Sequence, residues 1–233
     1  MRLDRFIHSK PIMYSKKLDV INFVKRVIYK SLFIDKFIQE QRADIMKRNL
    51  EAIQRHFTGK KVLEIGCGQG NFLGTLHKDY NCDCYGVDIS PEMVAYAQEQ
   101  NPGPQYAIMD SSQLEFEDGA FDFVIFNYVL HHVDDLDGTI REAKRVGKHI
   151  LIYESCAFAT EPLRYLSNLY WKTVDGGNDY KCLGDWKRQF DMEVIEEIEG
   201  TGLVRYGMCI FKHKAATARR DNPSLTARTD LSN

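Results

Sequence analysis

A glycine-rich turn after a short apolar segment is the first candidate for chemistry in this sequence. The segment from Val62 to Phe72 reads V-L-E-I-G-C-G-Q-G-N-F, with Gly66, Gly68 and Gly70 at every second position. Glycine lets the chain turn sharply and lets a ligand approach the backbone closely. The helix expected to follow would offer free backbone N–H groups to that ligand. The turn therefore predicts a ligand site at the carboxyl end of a strand.

Two nearby residues indicate which ligand suits the turn. A dinucleotide-binding turn requires the spacing G-x-G-x-x-G, and this chain has Asn71 where the last glycine is needed. Glu64, at the end of the preceding strand, would repel a pyrophosphate and attract a cation. S-adenosylmethionine carries an ammonium and a sulfonium, so it matches these residues. The alternative is a tight strand-to-helix turn without a ligand.

Acidic residues end the next two predicted strands. Asp88 lies 24 residues after Glu64, where a carboxylate can accept both ribose hydroxyls of a nucleoside. It could instead cap the following helix, although Ser90 is better placed for that. Asp110 and Ser111 follow the third strand and would reach the exocyclic amine of an adenine. Ordinary turn chemistry is the alternative for these two residues.

The fourth predicted strand ends in the segment N-Y-V-L-H-H-V, which contains Asn127, His131 and His132. Histidines at the carboxyl end of a strand lie where open parallel sheets bind ligands. A histidine titrates near neutral pH and can take the proton from a hydroxyl acceptor. Glu154, at the end of the fifth strand, would lie beside them and orient the histidine or share its proton. Alternatively, one histidine begins a helix and bonds to the backbone.

Alternating strands and helices must position these residues. The alternation predicts a parallel sheet covered by helices on both faces, and two further strands flank the turn at residues 199–202. We therefore expect an α/β fold with a doubly wound, mostly parallel seven-stranded sheet and a C-terminal antiparallel hairpin. The predicted strands are Val62–Ile65, Cys84–Val87, Tyr106–Met109, Phe121–Phe126, His149–Tyr153, Glu193–Ile198 and Tyr206–Lys212.

The sequence divides into a central domain and two terminal segments. We predict an N-terminal helical extension over residues 1–57 and a cofactor-binding domain over residues 58–213. Residues 214–233, which are rich in small and polar side chains, are predicted to be a disordered tail. Within the domain, residues 155–190 break the alternation and are rich in aromatic residues, so we expect helices and a mobile cover there.

Composition narrows the classes of protein that fit. The chain has 233 residues, of which 44% are hydrophobic, and this suits one domain with a sizeable core. A net charge of -2 does not indicate a nucleic-acid binder. The six cysteines form no C-x-x-C motif, which predicts no metal site and a reducing compartment. Without a signal peptide or a run of about 20 apolar residues, a cytoplasmic protein is predicted.

The N-terminal segment is basic and amphipathic. Residues 1–61 carry 15 Lys and Arg against 6 Asp and Glu, whereas residues 62–211 carry 11 against 25. We predict that residues 17–38 form one amphipathic helix, or two short ones, that acts as a lid or packs on the core. The alternatives are peripheral contact with an anionic membrane and a dimer contact. Its apolar residues recur at helical spacing and are Leu18, Ile21, Val24, Ile28 and Leu32.

Together these motifs resemble those of class I S-adenosylmethionine-dependent methyltransferases, in particular the small-molecule subgroup. The resemblance covers roughly residues 50–155 and implies S-adenosylmethionine as the cofactor. One departure is V-G-K at 146–148, where family members often have Pro-Gly-Gly, and we interpret it as a loop variation away from the site. The implied cofactor residues are Glu64, Gly66, Cys67 and Gly68 around the methionine part, with Asn127 near it, Asp88 and Ile89 at the ribose and adenine, and Met93, Asp110 and Ser111 near the adenine. Gly70, in the same turn, is also predicted to bind the cofactor.

The expected function is O-methylation of a small molecule by in-line methyl transfer, with His131 or His132 and Glu154 accepting the proton. The resemblance supports this pairing, since some sugar O-methyltransferases use such a histidine and acid. The alternatives are C- or N-methylation, a lipid-directed enzyme and a non-catalytic cofactor-binding module. An NAD-dependent oxidoreductase is disfavoured by Glu64 and Asn71. A nucleic-acid enzyme is disfavoured by the acidic body and by the absence of an N-P-P-Y motif.

Overall fold

A seven-stranded sheet forms the centre of the structure, a computed structural model that describes residues 48–49, 51–174, 176–177, 180–200 and 205–214. Its strands are β1 (Lys61–Ile65), β2 (Asp83–Asp88), β3 (Gln105–Ile108), β4 (Phe121–Asn127), β5 (Gly147–Cys156), β6 (Glu193–Glu199) and β7 (Arg205–Lys212). Their order across the sheet is β3-β2-β1-β4-β5-β7-β6. β1 to β5 are parallel, and β7 is antiparallel to both β5 and β6. The predicted fold class is therefore confirmed.

Helices cover both faces of this sheet. They are α1 (residues 51–57), α2 (Asn71–Tyr80), α3 (Pro91–Gln100), α4 (Leu136–Val146), α5 (Leu163–Val174) and α6 (Leu183–Phe190), with a short 3-10 helix at Leu130–His132. Buried side chains of α1 and α2 pack on one face, and those of α4 and α6 pack on the other. The predicted N-cap of α3 is confirmed, because the Ser90 hydroxyl accepts the Met93 N–H at 3.3 Å.

Strand β4 shows why the sheet must be covered on both faces. Val124 and Phe126 enter the core that α4 and α6 cover, whereas Phe123 and Ile125 enter the core that α1 and α2 cover. Successive side chains of a strand point to opposite faces, so a strand that is apolar at nearly every position needs a helix layer on each side.

The strand order reverses at β1, whose two neighbours are β2 and β4. Open parallel sheets bind ligands in the crevice beyond the carboxyl ends of the strands at such a reversal. Ile65 is in register with Val87 on one side and with Phe126 on the other. The residues that follow these three are Gly66, Asp88 and Asn127, so the register brings the predicted cofactor residues to one edge.

The connection into β5 corrects two predictions. The interpretation of residues 146–148 as a loop is wrong, because α4 ends at Val146 and β5 begins at Gly147 without an intervening residue. A Cβ atom on Gly147 would lie 2.6 Å from Val124 Cγ2, so this direct entry needs a glycine. β5 is also longer than predicted, since pairing with β7 continues from His149 to Cys156. Glu154 thus lies inside β5.

Several predictions concern the cover segment and the two ends of the chain. The described part of residues 155–190 contains α5 and α6, which confirms helices there, while the mobility of this cover stays a prediction. The helix over residues 17–38, most of the N-terminal extension and the tail from 215 lie outside the described residues. The division into domains likewise stays a prediction.

Candidate active site

The glycine turn connects β1 to α2 in left-handed backbone conformations. Gly66, Gly68 and Gly70 have φ values of 70°, 49° and 72°. A Cβ atom on Gly66 would lie 2.3 Å from Val129 Cγ2, and one on Gly70 would lie 2.5 Å from Tyr106 Oη. A Cβ on Gly68 would meet no described atom within 4 Å. The outer glycines thus allow close packing, whereas the middle one borders open space that a ligand can enter.

Glu64 supplies a buried carboxylate beneath this turn. Glu64 is only 2% exposed, and its Oε1 accepts a hydrogen bond from Asn127 Nδ2 at 3.3 Å. No described residue makes a hydrogen bond to Oε2, which is also buried. Burial raises the pKa of Glu64 to about 8, the Asn127 hydrogen bond opposes this rise, and the Asp88 charge adds to it. A ligand cation would satisfy Oε2 and favour the ionised form.

Asp88 ends β2 with both carboxylate oxygens directed to backbone donors. Oδ2 accepts the Gly68 N–H at 2.8 Å and Oδ1 accepts the Ser90 N–H at 2.9 Å. Each carboxylate oxygen has a second acceptor site, so a diol can still bind. The next residue, Ile89, is 73% exposed, an unusual exposure for a large apolar side chain. A carboxylate beside an exposed apolar surface suits a ribose and the face of its base.

The remaining predicted cofactor residues have mainly local partners. The Cys67 side chain is buried in the core, and its backbone N–H and C=O bond to Val87 and Gly70. Met93, in the first turn of α3, is partly buried. Asp110 accepts both the N–H and the hydroxyl of Ser112, and these bonds lower the pKa of Asp110. Ser111 and Thr139 share a hydroxyl–hydroxyl bond of 2.7 Å. Contact of these four residues with a cofactor stays a prediction.

The histidine and the acid that the sequence pairs do meet in the structure. His131 Nδ1 lies 2.6 Å from Glu154 Oε2, and the two residues are 3% and 0% exposed. The other oxygen of Glu154 accepts the backbone N–H groups of Val129 and Leu130 at 2.8 and 2.7 Å. The carboxylate thus anchors the 3-10 helix that carries His131 and sets the orientation of its ring.

The cover segment packs against this pair. The Tyr180 ring stacks on His131 with centroids 4.7 Å apart, and a Cβ atom on Gly177 would lie 2.5 Å from His131 Cδ2. His132 contacts His131 with centroids 4.2 Å apart but is itself exposed. The two histidines therefore differ, because one is buried and oriented by an acid whereas the other faces solvent.

Several site features are absent from the sequence-based prediction. Val129 packs on Gly66, and Tyr180 covers His131 from a position 49 residues along the chain. Tyr128 has a φ of 56°, a left-handed conformation that costs a bulky residue energy and is concentrated at functional sites. The aromatic richness of residues 155–190 was the available signal for the cover, whereas the φ of Tyr128 has no sequence signal.

The described residues contain neither a cluster of metal ligands nor a helix that could span a membrane. Within them, no group of three or more His, Cys, Asp or Glu side chains is arranged to hold a metal ion. Nor does any helix in the described ranges have the length and apolar character needed to cross a membrane.

Comparisons with known proteins agree with the geometry. Residues 63–150 match the protein family described as "Methyltransferase domain". Ajmaline N-methyltransferase from Rauvolfia serpentina is 33% identical over 93 residues, covering 37% of this chain and 32% of the relative. Malonyl-[acyl-carrier protein] O-methyltransferase from Pectobacterium atrosepticum is 28% identical over 142 residues, covering 61% and 54%. A putative methyltransferase from Bacillus halodurans has the same fold, with a TM-score of 0.59, 19% identity and coverage of 67% and 72%. The chain spans about a third to about half of the length of these curated relatives.

Proposed function

We propose that the protein is a class I S-adenosylmethionine-dependent methyltransferase that transfers a methyl group from this cofactor to the hydroxyl group of a small molecule. The match of residues 63–150 to the methyltransferase domain family supports this proposal. The cofactor supplies an electrophilic methyl group on its sulfonium. The protein must bind the cofactor, hold the acceptor oxygen in line with the methyl–sulfur bond and accept one proton.

The buried Glu64 carboxylate carries the cofactor part of this proposal. A buried acid with an oxygen that no described residue satisfies is costly unless a ligand completes it. Glu64 would hold the ammonium of the methionine part, and Asp88 would hold the ribose hydroxyls. Ile89, which is exposed beside Asp88, would pack on the adenine.

His131 and Glu154 support a hydroxyl acceptor. With Glu154 accepting the Nδ1 proton, the other ring nitrogen of His131 is the basic one. That nitrogen would take the hydroxyl proton while the acceptor oxygen bonds to the methyl carbon and the methyl–sulfur bond breaks towards sulfur. Because Tyr180 and Gly177 lie against the ring, they would also border the acceptor.

N-methylation is a second candidate, favoured by the burial of His131. A ring that is 3% exposed, together with a carboxylate that holds two backbone N–H groups, also suits a purely structural role. An amine acceptor can be methylated without this base. The similarity to ajmaline N-methyltransferase supports the same alternative.

Product analysis with matched variants distinguishes the candidates. The protein would be incubated with methyl-labelled S-adenosylmethionine and a panel of phenols, carboxylic acids and amines, and mass spectrometry would locate the transferred methyl. On a hydroxyl acceptor, His131→Asn should lower turnover by about 10²–10⁴-fold and leave cofactor affinity nearly unchanged. The exposed neighbour provides the control, since His132→Asn should change turnover by no more than a few-fold.

The outcomes test the acceptor atom and the cofactor assignment separately. Methyl transfer to nitrogen with full activity in His131→Asn would replace O-methylation by N-methylation. Calorimetry that detects no binding of S-adenosylmethionine or S-adenosylhomocysteine to the folded protein would overturn the cofactor assignment itself.

A further inference from the structure

A continuous series of aromatic side chains extends from the His131 ring. We call it the aromatic arc, and its members, in order of contact from the ring that stacks on His131, are Tyr180, Trp171, Tyr206, Tyr128 and Tyr153. Neighbouring rings in this order, His131 included, have centroids 4.7 to 5.7 Å apart, as attractive aromatic pairs do. Three members are buried, whereas Tyr128 and Tyr153 are partly buried. These two rings therefore form most of the surface that the arc offers to a ligand.

The aromatic arc lies at the edge of the sheet that carries the candidate active site. Tyr128 directly follows Asn127, which ends β4 and donates a hydrogen bond to Glu64. Tyr153 is in register with Asn127, and Glu154 is the next residue of β5. The arc thus connects the surroundings of the carboxylate proposed for the methionine part with the histidine proposed as the base. Since methyl transfer takes place between these two points, the acceptor would lie beside the arc.

The backbone holds the Tyr128 ring at this edge. Its φ of 56° is left-handed, and its N–H donates to the Tyr153 carbonyl at 2.8 Å. Such a conformation costs a bulky residue energy, persists only where the surrounding structure holds it, and is concentrated at sites that bind ligands. The Tyr128 ring meets the Tyr153 and Tyr206 rings nearly edge to face, with centroids 4.7 and 5.7 Å away. The strained turn after β4 therefore keeps an aromatic ring beside the proposed acceptor position.

The proposed base distinguishes among the hydroxyl groups that could be methylated. An ordinary histidine has a pKa of about 6.5 and a phenol one of about 10, whereas an aliphatic alcohol is close to water, at about 15.7. Proton transfer to an imidazole is therefore less unfavourable from a phenol than from an alcohol by about six powers of ten. A carboxylic acid is already ionised at neutral pH and needs no base. The oriented pair of His131 and Glu154 thus suits a phenol best.

We propose that the methyl acceptor is a phenol whose ring packs on Tyr128 and Tyr153 while its hydroxyl group contacts His131. This inference rests on the proposed function and adds the chemical class of the acceptor to it. A flat ring can pack on the arc offset or edge to face, as the members of the arc pack on one another. His131 takes the phenol proton, the phenol oxygen bonds to the methyl carbon, and the methyl–sulfur bond breaks with both electrons going to sulfur. The products are an aryl methyl ether, S-adenosylhomocysteine and a protonated imidazole, which returns its proton to solvent.

Matched acceptors test the phenol assignment on the full-length chain. Calorimetry first measures S-adenosylhomocysteine binding, and a failure at that step would overturn the proposed function and this inference with it. The loaded protein is then titrated with phenol and naphthol and with their saturated counterparts, cyclohexanol and decahydronaphthol. At least one phenol should bind about 3-fold or more tightly than its counterpart. With methyl-labelled S-adenosylmethionine, that phenol should be methylated on oxygen at least about 10²-fold faster than the saturated alcohol.

Variants of the arc separate recognition of the ring from folding. Tyr128→Leu should weaken phenol binding about 3–10-fold and leave cyclohexanol binding nearly unchanged, whereas Tyr128→Phe, which keeps the ring, should retain the preference for phenol. Tyr153→Leu repeats the test at a position without backbone strain, and Tyr96→Leu, at an exposed position on α3, is the control. Circular dichroism would verify that each variant is folded. The proposal is overturned if the saturated alcohols bind as tightly as the phenols, if they or benzoic acid are methylated as fast, or if both leucine variants of the arc keep the wild-type preference.

Discussion

We expect cofactor affinity to fall as pH drops below 8, by a factor that approaches tenfold per pH unit below pH 7, and we expect Glu64→Gln to remove this dependence. Burial raises the pKa of the Glu64 carboxyl to about 8, in spite of the Asn127 hydrogen bond. At pH 7 the carboxyl of the free protein is therefore mostly neutral. Binding an ammonium group beside it favours the carboxylate, so binding must release a proton.

The size of the effect follows from the fraction of ionised carboxyl. At pH 6 about one carboxyl in a hundred is ionised, so binding costs about 2.7 kcal/mol more than with the carboxylate already formed. At pH 8 about half are ionised and this cost nearly vanishes. The α-amino group of the ligand has a pKa of about 8 and loses its own proton at higher pH. Affinity should consequently be greatest near pH 8.

Titration calorimetry with S-adenosylhomocysteine at pH 6, 7 and 8 measures both the affinity and the number of protons released on binding. Comparison of two buffers with different ionisation enthalpies should show a net release of about 0.8 proton per site at pH 7, since the ligand amine takes up about 0.1 of the 0.9 proton that Glu64 releases. Glu64→Gln should bind weakly, with no proton release, whereas the exposed Glu99→Gln on α3 should behave like the wild type. A wild-type affinity that is flat from pH 6 to 8 would refute the reasoning, as would a Glu64→Gln protein that keeps the wild-type slope.

The same carboxyl should make the free protein less stable as pH rises. Its pKa is about 8 in the folded protein against 4.5 as a reference for the unfolded chain, so the folded state binds the extra proton between these values. The contribution of Glu64 is most favourable below pH 4.5 and declines as pH rises to 8. At pH 7 the loss is about 3 kcal/mol. Urea unfolding should show Glu64→Gln gaining stability over the wild type from pH 5 to 8.

Three substitutions test other parts of the site and its support. Gly66→Ala should lower the free energy of unfolding by about 2–4 kcal/mol in urea titrations, since its Cβ would overlap Val129 and its φ is 70°. Gly68→Ala meets no described atom, so we expect a loss of only about 1–2 kcal/mol together with a clear loss of cofactor binding by calorimetry. Ile89→Ser, at a 73% exposed position, should leave the melting temperature unchanged and weaken cofactor binding about 5–10-fold; equal binding would remove Ile89 from the site.

Local features of the chain were sufficient to predict much of the fold and of the cofactor edge. Glycines at every second position, with Glu64 before them, indicate a turn that binds a cationic cofactor. Strand-to-helix alternation indicates a parallel sheet, and the carboxyl ends of parallel strands share one edge. Asp88 and Asn127 could therefore be assigned to that edge before any coordinates. The prediction of a loop before β5 was wrong because the sequence around a glycine that follows a helix looks the same whether a loop or a strand comes next.

Tertiary structure decided the properties that depend on distance and burial. The glycine turn alone does not reveal that Glu64 has an oxygen without a described partner, because burial arises from the helices packed around it. Register and the 3-10 helix bring His131 within 2.6 Å of Glu154, and packing rather than residue type sets the burial of His131 and the exposure of His132. The aromatic arc likewise emerges only in the tertiary structure, because it joins rings that are far apart in the sequence. Residue types and spacing thus identified the candidate side chains, whereas packing decided the orientation and the accessibility of each of them.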